Sequence, residues 1–400
     1  LRRPQLNDAI SVGTVRVVGV EPEAWSGAGL AALTGRADGP PCRPPDEVVA
    51  AIGALVAGAP VGDPLALLGE RAARAGTTRR SPASCGGTTR LLPASDGWLA
   101  VALPREDDRV AVPAWLEVDA APDDPWALVR EEVAGRPTAA LVGRAALLGL
   151  PVAAVAERAP GPPVRFTEVA PAPPLADAPL VVDLSALWAG PLCSHLLQLQ
   201  GARVVKVESV GRPDGARADD TGFFDLLNHG KASVALDLAG PDLRSLLAAA
   251  DVVIEGSRPR ALRQLGLDAE ALLGGRGPRV WVSITGHGRA DPMAQRVGFG
   301  DDTAAAGGLV LLDERGPVFV ADAVADPLAG IVAAAAVTER LAAGGTWLLD
   351  VSLAGVAAAA AVPEPRAVPV ADAPPPRSRP VAGPAPALGA DTATVLARLA

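Results

Sequence analysis

An α/β fold, a doubly wound parallel sheet with a smaller α+β domain, is predicted by three features of the sequence. From Pro179 to Val351, short β-branched runs alternate at regular spacing with stretches of helical periodicity. Within that region Leu180–Leu184 leads through a turn at Gly190 and Pro191 into an apolar helical pattern, then to Val204, Val205 and Val207 on a second strand. Such a strand–helix–strand unit places both strand ends on one edge of the sheet, where ligands of open α/β folds bind. Chemistry is therefore expected in Trp188–Gly190 and Glu208–Arg217.

Taken in order, residues 1–75 read as a mostly helical, degenerate half-repeat. They hold a strand at Val15–Val20, a turn-rich run at Thr34–Pro45 and helical patterns at Glu47–Val56 and Pro64–Ala75. Residues 76–158 form the small α+β domain: Asp96, Gly97 and Trp98 turn into a strand at Leu99–Leu103, and helices follow at Trp126–Ala134 and Thr138–Leu148. Residues 159–178, rich in Pro, Ala and Gly, read as a semi-rigid linker. Residues 179–360 carry the Rossmann-like sheet, with strands at Arg203–Val207, Ser233–Leu238, Asp251–Glu255 and Arg279–Ile284. Between them lie helical patterns at Phe223–Leu227, Pro241–Ala250 and Leu262–Leu273. A Gly-rich stretch, a strand at Gly316–Val320, a long Ala-rich helix at Pro327–Ala342 and a strand at Trp347–Val351 complete this part. Residues 361–385 read as a second Pro-rich linker, and 386–400 as a small terminal helix.

One internal echo stands out. Ala28–Val56 resembles Ala306–Val337 in its Gly-Leu start, its Gly-Pro turn and its Ala-rich helix. Aligned without gaps from the two Gly-Pro turns, Val49 faces Asp326, so a duplicated half-fold is expected in which only the second copy keeps an acidic residue at that position.

Composition narrows the function. A chain of 400 residues with 49% apolar content is long enough for two or three folded domains. Its apolar runs fall short of the ~20 residues that cross a bilayer. The amino-terminal LRRPQLND lacks the apolar segment of a signal peptide, so no membrane partner and a cytoplasmic location are expected. A net charge of -9 argues against a general nucleic-acid partner. Cys42, Cys85 and Cys193 lie far apart without CxxC spacing, and no metal site is expected. Of 36 Lys and Arg residues only Lys206 and Lys231 are lysine, which marks both as answering a local need.

The sequence contains neither GxGxxG nor GxxxxGK[ST], so ordinary dinucleotide and P-loop sites are disfavoured. Arg212, Arg217, Lys231 and Arg258 sit in loops at strand ends and either converge on a polyphosphate or form a solvated basic surface. Asp326, directly before Pro327 and the long helix, reads as a helix cap with Pro at the first position. Its position also admits a carboxylate kept ionised by the positive helix end and used as a nucleophile, but without further information the cap is the reading to take. His287 fits a turn residue, His195 a packed one. Trp188 either stacks on a purine or plugs the sheet edge.

The segments VVDLSALWAGPLCSHLL, GARVVKVES, LLNHGKASVALDL, ADVVIEGSRPRALRQLGLD, VSITGHGRADP and VADPLAGI resemble, in order, those of the family III CoA-transferases, a group that also contains α-methylacyl-CoA racemases. DGWLAVAL resembles part of the family's smaller domain, which here precedes the sheet. A permuted or partly duplicated arrangement is implied. The resemblance implies that Asp326 is the catalytic aspartate, attacking an acyl-CoA thioester and passing through an anhydride and an aspartyl-CoA thioester. It also implies that Trp188, Ala189, Arg212, Arg217, Lys231, Gly256, Ser257 and Arg258 lie on the CoA-binding segments, although the family often has Asn-Phe where Gly256 and Ser257 stand. Racemases place a His at the position of Phe299, and Phe moves no proton, which points to a transferase. The expected activity is transfer of CoA from an acyl-CoA to a carboxylic acid, with CoA and acyl-CoA as substrates, no permanently bound cofactor and a homodimer as the usual assembly. The alternative is a CoA-binding pseudoenzyme or partner subunit without turnover.

Overall fold

Seven strands form the central sheet of the computed structural model, which describes residues 21–275 and 277–399. The strand expected at Val15–Val20 lies outside the described residues. In chain order the seven are β1 (Val164–Ala170), β2 (Leu180–Asp183), β3 (Arg203–Ser209), β4 (Ala232–Leu236), β5 (Val252–Glu255), β6 (Val280–Thr285) and β7 (Thr346–Ser352). Across the sheet they run β1-β7-β6-β5-β2-β3-β4, all parallel except β1, which lies antiparallel to β7. From β2 the chain winds outward through β3 and β4, then returns to the other side of β2 and winds outward through β5, β6 and β7. The direction of winding reverses between β2 and β5, so their carboxyl ends form the topological switch point of the sheet, where the ligand crevice of such folds is expected.

The central strands read as continuous apolar runs because both faces are covered. On one face Val181, Val252, Val280 and Val282 pack with residues of four helices: α1 (Asp46–Val56), α2 (Ala189–Leu199), α3 (Gly300–Ala306) and α4 (Ala325–Ala343). On the other, Val182, Val205, Val253 and Trp281 pack with Leu243, Leu246, Leu247 and Leu273. Each of these side chains contributes about 1.5–3 kcal/mol on leaving water. The helices α2 and α4 meet closely because of Gly330, where an added β-carbon would stand 2.5 Å from the Ala189 carbonyl oxygen.

The smaller domain is an antiparallel sheet of Thr89–Pro93, Trp98–Ala102 and Val152–Ala154 with helices at Trp126–Ala134 and Thr138–Leu148. It has its own core around Trp115, Val129 and Leu141. It docks on α3, where the amides of Ala156 and Arg158 donate to the carbonyls of Ala305 and Ala306, each at 2.9 Å.

Several expectations are corrected. The 159–178 segment is not a bare linker, since it contains the edge strand β1, whose flanking prolines hide it in the sequence. The 361–385 segment contributes Val368–Pro369, paired with Cys42–Arg43. Gly190 and Pro191 lie inside the first turn of α2 rather than in a turn before it, a place where proline's missing N–H costs nothing. The helical pattern at 262–273 splits into Pro259–Gln264 and Ala269–Leu273, broken at Gly266, which takes a positive φ. Pro64–Ala75 splits likewise into a 3₁₀ turn at Leu65–Leu68 and a helix at Glu70–Ala75. Among the described residues no helix is long and apolar enough to cross a membrane.

Candidate active site

Asp326 is not the cap of the long helix. The helix begins at Ala325, so Asp326 is its second residue and Pro327 its third, and the preceding Val324 makes no side-chain cap bond. The carboxylate therefore stands in the first turn, directed toward Gly300 at the start of α3. A β-carbon on Gly300 would collide with Asp326 Oδ2 and with the Ala323 carbonyl oxygen, so only glycine admits this approach.

The helix end was expected to keep Asp326 ionised, and the surroundings overturn that. Burial pushes its carboxyl up to about 7; Arg71 pulls downward, Asp301 and Asp322 push further up, and a backbone hydrogen bond from Gly300 pulls down again. Desolvation and two neighbouring carboxylates outweigh a helix terminus, whose effect is typically 0.3–1 kcal/mol. Asp326 nevertheless keeps partial solvent exposure. It is thus an accessible carboxylate balanced between acid and anion near neutrality.

Its charged neighbours come from the helix Glu70–Ala75, from α3 and from Asp322 just before α4. Arg71, on the helix Glu70–Ala75, donates from Nε to Asp322 Oδ2 at 2.9 Å and from Nη2 to Asp322 Oδ1 at 2.6 Å. Its guanidinium lies 5.0 Å from the centre of the Trp188 ring. Asp301 Oδ1 accepts from the Ala323 amide at 3.0 Å, and burial followed by Asp322 lifts its carboxyl to about 6. Asp302 is fully buried; its Oδ1 accepts from the Phe299 amide at 2.8 Å while Oδ2 has no hydrogen-bond partner among the described residues, and burial raises it far above the usual range. Phe299, where a racemase-like reading needs a base, sits 5.6 Å from the Arg105 guanidinium. His287 is buried, its Nε2 without a hydrogen-bond partner among the described residues, and burial holds it neutral down to about 3. Arg71, Asp301 and Asp322 were missed as parts of the site. Arg71 stands 251 residues from its partner, and no local pattern announces it.

The expected CoA-binding residues divide into two groups. Trp188 and Ala189 open α2, and Gly256, Ser257 and Arg258 follow β5, so both segments flank the β2–β5 crevice. The two loops approach each other: a β-carbon on Gly256 would stand 3.8 Å from Ser185 Cβ. Arg212 and Arg258 are exposed. Trp188 is 2% exposed, edge-on to Phe223 with centroids 5.2 Å apart, so its ring props Arg71 instead of offering a free face.

The second group is committed elsewhere. Lys231 is 2% exposed and donates to Ser194 Oγ at 2.7 Å, Asn228 Oδ1 at 2.9 Å and the Pro191 carbonyl at 2.9 Å, beside Asp183 at 3.3 Å. Burial pulls its ammonium down to about 8. Burial would raise Asp183, but Lys231, Lys206 and the hydroxyls of Ser185 and Ser194 outweigh it and hold it below the usual carboxylate range. Lys206 pairs with Asp214 at 2.9 Å and donates to the Ser185 carbonyl at 3.0 Å. The local need that the two lysines answer is therefore neutralisation of buried aspartates at the crevice floor. Arg217 is held by Glu208, at 2.8 Å from Nε to Oε1, and stacks 4.4 Å from the Phe224 ring centre. The carboxyl-terminal segment closes over it, with the Pro386 carbonyl 3.2 Å from Nη1.

The sequence of residues 178–392 matches the model of "CoA-transferase family III". The chain belongs to that family. Succinyl-CoA–D-citramalate CoA-transferase of Chloroflexus aurantiacus is 29% identical over 43% of this chain and 48% of its own length. Succinate–glutarate CoA-transferase of Agrobacterium fabrum is 30% identical over 40% of this chain and 45% of its own. The chain thus spans about half the length of the curated relatives it matches. Among solved structures, a CaiB/BaiF family protein from Brucella suis is 29% identical, covering 46% of this chain and 54% of that one, with a TM-score of 0.40.

Proposed function

We propose that this family member transfers CoA from an acyl-CoA thioester to a carboxylic acid through a covalent intermediate on Asp326. The observation that carries the reading is the Asp326 carboxylate itself: partly exposed, lifted to about 7, and placed one helical turn from the point where α4 meets Ala189. As the anion, Asp326 attacks the thioester carbonyl carbon, the C–S bond breaks, and a mixed anhydride and CoA thiolate result. The thiolate then attacks the aspartyl carbon of the anhydride and releases the donor acid, leaving aspartyl-CoA. An acceptor carboxylate attacks this thioester, and the thiolate finally takes the acceptor acyl group, returning Asp326. Protons balance throughout, since each carboxylate consumed is matched by one released.

Arg71 and the Gly300 amide serve this cycle by stabilising negative charge at the carboxylate that leaves and re-forms. Burial favours attack because a poorly solvated anion loses little hydration in reaching the thioester. Ala189, Gly256, Ser257 and exposed Arg212 and Arg258 at the crevice mouth are the residues we assign to CoA.

A second reading, a CoA-binding pseudoenzyme or partner subunit, is favoured by the internal commitment of Lys231 and Arg217. Titrating acyl-CoA into wild type and Asp326→Ala, with transfer to an added carboxylate measured alongside binding, separates the two. Turnover in wild type and binding without turnover in Asp326→Ala supports the transferase. Binding without turnover in both supports the second.

A further inference from the structure

The two copies of the repeated segment do not merely resemble each other; they touch at equivalent positions. Arg36 donates to Asp313 from Nε at 2.6 Å and from Nη2 at 2.9 Å, and these residues stand 277 apart. Arg315 donates to Asp38 from Nη2 at 2.7 Å and from Nη1 at 2.8 Å, and these also stand 277 apart. The same spacing relates the turn Gly39-Pro40 to Gly316-Pro317, and Gly53 of α1 to Gly330 of α4. It also relates Gly58 to Ala335, where an added β-carbon on Gly58 would stand 3.3 Å from Ala335 Cβ. Contact between a position and its own equivalent happens on a two-fold axis, as in the isologous interface of a dimer.

The charges on this axis carry the argument further. Two identical copies of Asp313-Glu314-Arg315 meeting in the same way would set Asp313 against Asp313 and Arg315 against Arg315. The first copy reverses both signs, with Arg36 for Asp313 and Asp38 for Arg315, so two repulsions become two ion pairs. Arg36 is 8% exposed and held at two points, which makes this more than a solvated surface pair. The pattern favours pairing within the chain and disfavours pairing of the second copy with that of another chain.

We infer that residues 28–58 act as a built-in subunit: they occupy, across an internal pseudo-two-fold axis, the face of 305–335 that a second chain would otherwise cover. The chain is then its own partner at this face, and a single polypeptide completes the site. The same amino-terminal region, through the helix that follows the first copy, delivers Arg71 to Asp322 beside Asp326, while Val49 leaves the first copy without an acidic residue there. This inference rests on the pairing alone and is independent of whether Asp326 turns over a thioester.

Charge reversal in the full-length chain tests it, read by thermal unfolding and by mass from light scattering. Wild type should have the mass of one chain. Arg36→Asp with Asp38→Arg recreates like charges on the axis and should lower the unfolding midpoint by a few degrees. Adding Asp313→Arg and Arg315→Asp should recover most of that loss. A wild-type mass of two chains, a double variant as stable as wild type, or a quadruple variant no better than the double would each overturn the built-in subunit.

Discussion

Replacing Arg71 with Met keeps an unbranched side chain in place but removes the guanidinium that holds both oxygens of Asp322. Asp322 is 1% exposed, so its charge is left without a partner in a dry site. Breaking a buried pair costs about 3–5 kcal/mol, and because 34% of the Arg71 side chain meets solvent, the expected loss lies at the lower end, about 3 kcal/mol. Urea unfolding reads this as a fall in midpoint at constant slope. Adding Asp322→Asn should return most of it, since the stranded charge is then gone. The same substitution acts on the chemistry. Arg71 draws the Asp326 carboxyl downward, so its removal raises that group above about 7. In the proposed cycle Asp326 attacks as the anion; thioester consumption should therefore fall as pH drops through about 7 in wild type, and the fall should begin at higher pH in Arg71→Met. A variant with unchanged urea midpoint and an unmoved acidic limb would refute the role assigned to Arg71.

Three further outcomes are expected. A carboxyl raised from 3.8 to about 7 in the folded protein contributes its full stability below about pH 4 and loses it as pH rises from there through 7; Asp326→Asn should thus unfold at a higher temperature than wild type at pH 8, with the gap narrowing below pH 7 and closing only near about pH 4, as scanning calorimetry would show. Gly300→Ala pushes a methyl group into Asp326 Oδ2 and the Ala323 carbonyl, and overpacking of about 1–3 kcal/mol should accompany a loss of transfer approaching about 100-fold, seen in melts and initial rates. Lys231→Met leaves Asp183 buried without its close cation and should cost about 3–5 kcal/mol in urea, while CoA affinity by calorimetry changes less than on Arg258→Ala.

The sheet was legible because its strands are short, β-branched and buried on both faces, and because helices separate them at regular intervals. What escaped were elements defined by their partners. β1 exposes most of its side chains and takes its place from hydrogen bonds to β7, which no periodicity records. Asp326 could be found as a candidate, yet its proton affinity could not, because helix position argues for the anion while burial and Asp301, which lies 25 residues away in sequence, argue against it. Arg217 and Lys231 looked like phosphate ligands because sequence shows a basic residue and not the acid it faces; Glu208 and Asp183 claim them in three dimensions. The Gly-Pro echo was visible, but that its two copies meet each other required the ion pairs Arg36–Asp313 and Asp38–Arg315.

The central claim is that Asp326 becomes covalently acylated, and peptide mass spectrometry tests it directly. The full chain is incubated with acyl-CoA at pH 8, where Asp326 is largely ionised, and quenched with hydroxylamine, which converts an anhydride or aspartyl thioester to a hydroxamate. The modification should fall on the peptide containing Asp326, depend on acyl-CoA and vanish in Asp326→Asn. Labelling of Asp301 or Asp322 instead, or a label that survives in Asp326→Asn, would contradict it.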